Sequence, residues 1–386
     1  MAMKMSQAAT IMFGAGSLAI LGDQLKMRGL KKPIIITDKG VTAVGVTAKV
    51  EQLIKDAGLD CAIYDDCQSD APSDSITVAA DAVRAAGADA IIALGGGSSM
   101  DTAKAASLVI NNPRPITEIT PGPGRGPGKP DLPIFTIPTT SGTGSEVTVV
   151  GVISHSETHK KFGVVISGAE MAIVDPELTI GVPPQLTAAT GMDVVAHAVE
   201  AITGRQRNPM SDLRGFEALR LAAAYLPKAV EEGTNIAARE AMSYASSLAG
   251  LAFSDSITTL GHATSQGLAS VLHLHHGLMC GLATPGSLEL FATAVPERIR
   301  KIAEIFGADV PYDATNEEIG KIANQKMKGF MKLVQLQSFK DLGFSREQIV
   351  SQVPILMEER MKDFSPCEIG EKECLFLLND MYDYGA

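Results

Sequence analysis

The stretch ADAIIALGGGSSMDTAKAASL, residues 88–108, decides the fold because it combines a buried strand, a glycine turn and a helix start. The apolar run AIIAL predicts a β-strand, and Ser98 and Ser99 predict the start of a helix with Asp101 in its first turn. Glycines, here 95–97, let a backbone approach a phosphate closely, and the exposed N–H groups of a helix start hold its negative charge. The pattern indicates a dinucleotide-binding unit, although it is not the GxGxxG fingerprint.

A second loop of this kind follows in PIFTIPTTSGTGSEVT, residues 133–148. A strand-forming run leads into glycines and small hydroxyl residues, which are Thr139, Thr140, Ser141, Gly142, Thr143, Gly144 and Ser145. Parallel strands bring their carboxyl ends to one edge of a sheet, where two such loops can line one crevice. A pair of ordinary tight turns is the alternative interpretation.

The hydrophobic period changes near residue 182. Before it, short apolar runs alternate with helical stretches, which is typical of parallel βαβ units. We predict strands at 34–37, 61–64, 90–94, 133–137 and 171–174. After it, almost every segment has helical periodicity. The sequence therefore predicts an α/β dinucleotide-binding domain with a parallel sheet over residues 1–182, and an all-helical domain over residues 183–386.

Capping residues mark several helix starts in the second half. The predicted caps are Asn208 with Pro209, Thr315 with Glu318, and Ser345 with Gln348. The segment 111–132 is rich in proline and glycine instead, and we expect it to be a loop with neither strand nor helix.

The run GMDVVAHAVE, residues 191–200, places Asp193 and His197 four residues apart, so that both lie on one face of a helix. His262 follows in LGHATSQ, and His276 follows in HLHHG. One carboxylate and three imidazoles suit Fe(II), Zn(II) or another divalent metal and leave positions open for a substrate oxygen. We predict that these four residues bind a catalytic metal; four hydrogen-bonded core residues are the alternative.

Composition argues against several classes of partner. With 386 residues the chain is long enough for two domains, and its net charge of −11 disfavours nucleic acid and anionic membrane surfaces. The N-terminal residues lack the apolar core of a signal peptide, and no stretch approaches the length of a membrane span. We expect a cytoplasmic protein whose five cysteines are reduced thiols. Cys280, four residues after His276, is interpreted as a packed thiol, and a position facing the cleft is the alternative.

Eight motifs follow one another along the chain: FGAGS, IITDKG, GGGSSMDTAK, IPTTSGTGSE, VDPELT, LTAATGMDVVAHAVEA, LGHATSQG and HHG. Their order is similar, almost end to end, to that in the iron-containing (group III) alcohol dehydrogenases, for which PTTSGTGSE and GMDxxxHAxE are very specific. The resemblance implies a metal, expected to be Fe2+, in the cleft between the two domains. It also implies NAD(H)-dependent interconversion of a small primary alcohol and an aldehyde. Affinity for nitrogen and oxygen ligands alone favours later metals such as Zn2+.

Cofactor preference is predicted from Asp38 in IIITDKG. An acidic residue at the carboxyl end of a strand accepts hydrogen bonds from the adenosine ribose and repels a 2′-phosphate, which favours NAD over NADP. A plain turn residue is the alternative for Asp38, and a solvated strand-edge charge is the alternative for Lys161. The other cofactor-binding residues implied by the resemblance are Gly96, Gly97, Ser98 and Asp101 on the pyrophosphate and nicotinamide side, Thr139, Thr140 and Thr143 on the adenine and ribose side, and Lys161 at the nicotinamide ribose.

The chain departs from the family pattern near the metal motif. Many relatives have a second histidine four residues after the first cleft ligand, where this chain has Gln266, and an aromatic residue and a proline where it has His273 and His275. Because glutamine does not exchange protons near neutral pH, we expect the proton path to run through the ribose hydroxyl, water or one of these histidines. Packing or capping of a turn is the alternative. The substrate stays open, since the pocket differs from that of relatives.

Two other functions stay open from the sequence. One is a sugar-phosphate cyclase of the dehydroquinate synthase type, which also binds NAD and a metal, and the other is a catalytically silent binding protein, suggested by Gln266. The lack of a recognisable basic phosphate pocket argues against the first, and the complete set of four ligands argues against the second. We expect a small alcohol or aldehyde as the partner, no nucleic acid or membrane, and a homodimer or larger homo-oligomer.

Overall fold

The computed structural model describes residues 9–112, 114–119 and 128–385. Contacts between residues divide the chain into two compact units. The α/β unit consists of the described residues up to Thr140 and of Gly144–Gly181, and the helical unit consists of Ser141–Thr143 and the residues from Val182 onward.

The α/β unit is built on a six-stranded parallel sheet with the strand order β1-β8-β5-β4-β2-β3, accompanied by an antiparallel β6–β7 hairpin. The strands are β1 (Thr10–Phe13), β2 (Pro33–Ile36), β3 (Ala62–Tyr64), β4 (Ala90–Gly95), β5 (Ile134–Pro138), β6 (Val150–Ser154), β7 (Lys161–Val165) and β8 (Met171–Val174). Strands β2, β4, β5 and β8 are buried along their whole length, as expected for parallel strands that are covered on both faces. The predicted parallel sheet is confirmed.

The described residues of this unit form six helices: α1 (Leu21–Met27), α2 (Lys39–Ala43), α3 (Val46–Asp56), α4 (Ser73–Ala86), α5 (Gly97–Ala106) and α6 (Ile116–Ile119). The predicted helix start after the glycine turn is confirmed by α5. The prediction of a loop without helix over 111–132 is wrong at α6, which adds one helical turn there. Residues 113 and 120–127 of that segment lie outside the described residues.

The sheet order brings the two predicted cofactor loops together. Strands β4 and β5 are neighbours, with Gly95 in register with Pro138, and the Thr139 N–H donates to the Gly95 carbonyl at 3.0 Å. The glycine turn after β4 and the hydroxyl-rich loop after β5 therefore begin side by side at the carboxyl edge of the sheet. This edge is where ligands bind in open α/β sheets.

The helical unit contains ten α-helices. They are α7 (Pro184–Thr203), α8 (Pro209–Glu231), α9 (Ile236–Ser256), α10 (Leu260–Leu272), α11 (His276–Phe291), α12 (Pro296–Ile305), α13 (Asn316–Leu333), α14 (Arg346–Val350), α15 (Val353–Glu358) and α16 (Glu371–Asp383). The predicted all-helical fold and the three predicted helix caps are confirmed. Within the described residues, no helix combines the length and the apolar character that a bilayer crossing requires.

Helix α7 is the centre of the helical unit. Every residue from Thr187 to Thr203 is buried, and the helix packs against α8, α9, α10, α11 and α12. A helix that is buried on all sides has no solvated face for its polar side chains, so these must find partners in the interior. Asp193, His197 and Glu200 lie on this helix, within the core of the helical unit.

Candidate metal centre and cofactor loops

Asp193 and three histidines converge in the helical unit. Asp193 Oδ1 lies 3.9 Å from His197 Nδ1, 3.7 Å from His262 Nε2 and 3.8 Å from His276 Nε2. Helix α7 supplies the first two residues from one face, since they are one turn apart, while α10 and α11 supply His262 and His276. The structure therefore brings the four predicted metal ligands together, although His262 and His276 are distant in sequence from Asp193.

The chemistry of this cluster fits a cation. His197 Nδ1 and His262 Nε2 are fully buried and have no hydrogen-bond partner among the described residues. An unsatisfied buried polar atom costs about 1–3 kcal/mol, which a bound ligand would offset. One carboxylate oxygen and three imidazole nitrogens are ligands that Fe(II) and Zn(II) accept. The residues present therefore fit a divalent metal.

Two further polar residues orient the imidazoles. Glu200 Oε2 lies 3.0 Å from His262 Nδ1, and the same carboxylate accepts the backbone N–H of His262 at 3.0 Å and that of Thr259. Ser265 Oγ lies 2.8 Å from His276 Nδ1. With Nδ1 engaged in each ring, Nε2 is the atom that faces Asp193. Carboxylate and hydroxyl partners of this kind fix the tautomer and the orientation of metal-binding histidines.

Sequence reasoning missed both orienting residues. Glu200 lies seven residues after Asp193 and three after His197, so helical spacing alone places it near their face of α7. That signal was available, because a glutamate in an apolar helix needs a partner. Ser265 carried no comparable signal, since hydroxyl residues are common in helices of this chain.

Glycines allow the three helices to approach the cluster closely. A Cβ on Gly277, next to His276, would lie 2.5 Å from the Ala189 carbonyl oxygen and 3.0 Å from Asp193 Cβ. A Cβ on Gly261, next to His262, would clash with Glu200 Oε1. Contacts this short require backbone or side chains to shift, so the positions of His262 and His276 depend on these two glycines.

Burial also sets the protonation of the cluster. It lowers the pKa of His197 well below 6.5, with His262 adding to the shift, so that His197 is neutral near pH 7 and can act as a ligand. Burial alone would lower the pKa of His262 too, but the neighbouring Cys280 and Glu200 raise it above 6.5 overall. A metal must therefore displace a proton to bind, which is the usual coupling of metal binding to pH.

Cys280 lies in the same cluster. Its Sγ is 3.6 Å from His276 Nε2, and one ligand atom from each of Asp193, His262, His276 and Cys280 lies within 4.8 Å of the others. The side chain is completely buried, and burial raises the pKa of its thiol to about 11. Cys280 is thus buried, as the packed-thiol interpretation expects, but it packs against the ligand histidines.

The three residues predicted to shape the pocket or to relay protons occupy different environments. Gln266 is half-buried on α10, one turn after His262, whereas His273 and His275 are exposed. His273 ends α10 with φ 51°, a left-handed conformation, and His275 immediately precedes α11. Neither histidine belongs to the group of ligand atoms around Asp193. The role of the three residues in the pocket or in proton transfer stays a prediction.

Asp38 lies beside the glycine turn in the α/β unit. It caps α2, with Oδ1 accepting the Val41 N–H at 3.0 Å, and Oδ2 accepts the Ser99 hydroxyl at 2.9 Å. Gly95 has φ +144°, and a Cβ there would lie 2.7 Å from Ser99 Oγ and 3.3 Å from Asp38 Oδ2. Only glycine permits this close packing, so the turn holds Asp38 at the carboxyl edge of the sheet.

Asp101 and Lys104 tie the second loop to α5. Asp101 accepts hydrogen bonds from Ser145 Oγ at 2.8 Å and from the Val152 N–H at 3.0 Å. Lys104 Nζ, completely buried, donates to the Ser145 carbonyl at 2.6 Å and to the Val150 carbonyl at 2.8 Å. Burial lowers the pKa of Lys104 to about 8 and raises that of Asp101. These contacts join the two cofactor loops into one rigid element.

Lys161 is held by an ion pair at the start of β7. Its Nζ lies 2.6 Å from Asp70 Oδ1, and only 7% of its side chain is exposed. The backbone N–H of Asp70 donates in turn to Ser98 Oγ at 3.1 Å. Lys161 is therefore connected to the glycine turn through one residue, and the alternative of a solvated strand-edge charge is wrong.

Comparisons with known proteins identify relatives over the whole chain. The family model described as iron-containing alcohol dehydrogenase matches residues 8–176, and the model of the C-terminal region of the same family matches residues 187–382. The NAD-dependent methanol dehydrogenase of Bacillus methanolicus is 38% identical over 77% of this chain and 78% of its own. The sulfoacetaldehyde reductase of Bilophila wadsworthia is 37% identical over 78% and 77%.

A solved structure agrees with the fold. The sulfoacetaldehyde reductase of Bifidobacterium kashiwanohense, solved in complex with NAD+, superposes with a TM-score of 0.88 at 31% identity and covers 99% of both chains. Matches over both halves leave no support for the cyclase or for the silent binding protein. The predicted resemblance is confirmed: the chain belongs to the iron-containing alcohol dehydrogenase family and is an oxidoreductase of alcohols and aldehydes.

Proposed function

We propose that the chain transfers hydride between NAD(H) and a small primary alcohol or aldehyde, with a divalent metal held by four residues of the helical unit: Asp193, His197, His262 and His276. The observation that carries this proposal is the approach of three imidazole nitrogens to within 3.7–3.9 Å of one carboxylate oxygen. A divalent metal at such a site acts as a Lewis acid on the substrate oxygen.

The charges of the four side chains suit that role. One carboxylate and three neutral imidazoles offset only one of the two positive charges of a divalent cation. The site therefore keeps a net attraction for an oxygen that carries partial negative charge, as in an alkoxide or a polarised carbonyl. Glu200 and Ser265 keep the ligand atoms in place while substrate and product exchange.

The nicotinamide cofactor is assigned to the loops of the α/β unit. By the family pattern and by their position, the contacts would come from Asp38, Gly96, Gly97, Ser98, Thr139, Thr140, Thr143 and Lys161, with Asp101 acting through Ser145. The helix start of α5 offers backbone N–H groups to the pyrophosphate. The cofactor carries the redox chemistry, and the protein supplies orientation and electrostatics.

We infer only the class of substrate, which is a small aldehyde or alcohol. The relatives act on compounds as different as methanol and sulfoacetaldehyde, so we draw no substrate from them. Anaerobic oxidation of NADH should be measured with C2 to C6 aldehydes, hydroxyaldehydes and acid-bearing aldehydes, with metal content determined on the same sample. Turnover that scales with metal content supports the proposal, and turnover in metal-free protein contradicts it. The homo-oligomeric state and the cytoplasmic location stay predictions.

Cofactor preference provides a test of Asp38. Asp38→Asn should raise the ratio of NADPH to NADH efficiency by about tenfold or more, because it removes a charge that repels a 2′-phosphate. The asparagine still accepts the Val41 N–H, so α2 keeps its cap. Asp38→Gly should change the ratio similarly but lower the melting temperature as well. An unchanged ratio in both variants would place Asp38 away from the ribose.

A double-mutant cycle of His273→Asn and Gln266→His tests whether His273 transfers protons. We expect His273→Asn to slow turnover by up to about tenfold, and by less in a chain that also carries Gln266→His, because general acid–base groups contribute strongly and can substitute for one another. Asparagine tolerates the left-handed conformation at φ 51°, so the turn is preserved. The measurement is steady-state turnover of the wild type, the two single variants and the double variant. Strictly additive effects would mean that the two side chains only shape the pocket.

A further inference from the structure

We propose that Cys280 is a ligand of the metal, supplying a sulfur atom beside His276 and shifting the metal preference of the site towards Zn(II). This inference rests on the proposed function, because it assumes that the cluster around Asp193 binds a divalent metal. It adds a residue to the site that the four-ligand pattern of one carboxylate and three imidazoles does not contain. The thiolate would offset the second positive charge of the cation, as it does in catalytic zinc sites with cysteine ligands, which still act as Lewis acids.

The position of Cys280 matches that of the other ligands. It lies one turn after His276 on α11, so both side chains extend from one face of the helix. Its Sγ is 3.6 Å from His276 Nε2, which is close to the 3.7–3.9 Å that separate Asp193 Oδ1 from the three imidazole nitrogens. Spacing of this size is what donor atoms around a common cation require.

A second observation points to a ligand at the same place. The four residues whose ligand atoms lie within 4.8 Å of one another are Asp193, His262, His276 and Cys280. His262 Nε2, in this group, is buried and has no hydrogen-bond partner among the described residues. A thiol is a weak hydrogen-bond donor and acceptor, so Cys280 is a poor substitute for the partner that this nitrogen needs. A cation satisfies the nitrogen and the sulfur together.

Binding of the metal by Cys280 releases the proton of the thiol. The thiol loses its proton to solvent or buffer as the sulfur–metal bond forms, since the thiolate is the ligand form of cysteine. Complete burial keeps Cys280 from solvent reagents and suits a ligand better than a nucleophile. Thiolate ligands favour Zn(II) among the divalent metals that imidazole also binds, while His197 and the two other histidines still accept Fe(II).

Cobalt spectroscopy tests the proposal without reference to activity. The full chain is loaded with Co(II) anaerobically, and its visible ligand-field bands and its near-ultraviolet thiolate-to-cobalt charge-transfer band are recorded. We expect both in the wild type and in the control Cys374→Ser, whose thiol is buried in the same unit against Met357. Cys280→Ser and Cys280→Ala should keep the ligand-field bands and lose the charge-transfer band. Their affinity for Zn(II) should fall by about tenfold or more, with a smaller change for Fe(II).

The outcomes separate this proposal from the proposed function. Bound cobalt without a charge-transfer band in the wild type, or a band that persists in Cys280→Ser, overturns the sulfur ligand and leaves the metal centre standing. A wild type that binds neither Co(II) nor Zn(II) overturns both. If the Cys280 variants do not fold, X-ray absorption at the zinc edge of the wild type gives the answer instead. A sulfur neighbour at about 2.3 Å supports the proposal, and a shell of nitrogen and oxygen alone refutes it.

Discussion

Asp193→Ala and His262→Ala are expected to purify without stoichiometric metal and to lose alcohol oxidation by about a thousandfold or more. Each variant removes a ligand from a buried cluster, and Lewis-acid stabilisation worth several kcal/mol corresponds to a factor of this size. Binding of NADH, followed by its fluorescence, should be nearly unchanged, because Asp38 and the glycine turn belong to the other unit.

A control separates loss of a ligand from loss of a charge. Asp309→Ala removes an exposed carboxylate from the same unit and should retain both metal and activity. Metal content is measured by elemental analysis on each protein, beside the far-ultraviolet circular dichroism that reports folding. Full metal occupancy in both ligand variants would show that the assignment of Asp193 and His262 is wrong.

Glu200→Gln is expected to lower metal affinity by about ten- to a hundredfold, although Glu200 is not itself a predicted ligand. Oε2 of Glu200 faces both His262 Nδ1 and the Thr259 N–H, while Oε1 accepts the His262 N–H. An amide has only one acceptor oxygen, so in either orientation its NH2 group faces a backbone N–H, and the imidazole loses the negative charge that strengthens it as a ligand. The expected defect is therefore weaker metal binding together with some loss of stability.

Two companion variants sharpen this test. Glu200→Ala leaves the backbone N–H groups of Thr259 and His262 without their acceptor and should cost about 3–5 kcal/mol of stability in addition. Glu289→Gln, a partly buried glutamate bonded to Asn324 in the same unit, should leave metal affinity unchanged. Affinity is measured by competition with a metal-binding dye. Wild-type affinity in Glu200→Gln would mean that the negative charge of the carboxylate does not strengthen His262 as a ligand.

Secondary-structure elements could be predicted from the sequence where their signals lie within one short stretch of chain. Strand β4, the glycine turn and α5 were predictable because burial, turn and helix start follow each other within one stretch of chain. Strand β1 and the β6–β7 hairpin were not predicted, since their residues are partly exposed and lack the continuous apolar run of the central strands. The short helix α6 was not predicted because proline and glycine dominate the residues that follow it.

At the candidate site, the metal ligands were predicted from their side-chain chemistry, whereas neighbours that come close only through packing were not. Asp193, His197, His262 and His276 were predicted because carboxylate and imidazole are the residue types that bind divalent metals. Helical spacing places Cys280 one turn after His276, but a buried thiol is common in cores, so residue type alone did not predict it as a ligand. Ser265 was not predicted either, because hydroxyls are common in helices and only the packing of α10 against α11 brings its Oγ to His276. Such tertiary neighbours cannot be inferred from spacing along a single helix.

The place of β1 in the sheet has a consequence for biosynthesis. Among the described residues, Thr10–Phe13 pairs only with β8, Met171–Val174, and Asp175 after β8 accepts the backbone N–H groups of Gly16 and Leu18. During synthesis β1 must therefore wait for β8, while β2, β4 and β5 are made between them. Contacts so distant in sequence slow folding and expose strand edges to aggregation meanwhile. Chaperone demand and the yield of refolding should accordingly be governed by the α/β unit, whose sheet closes only once residue 174 has been made.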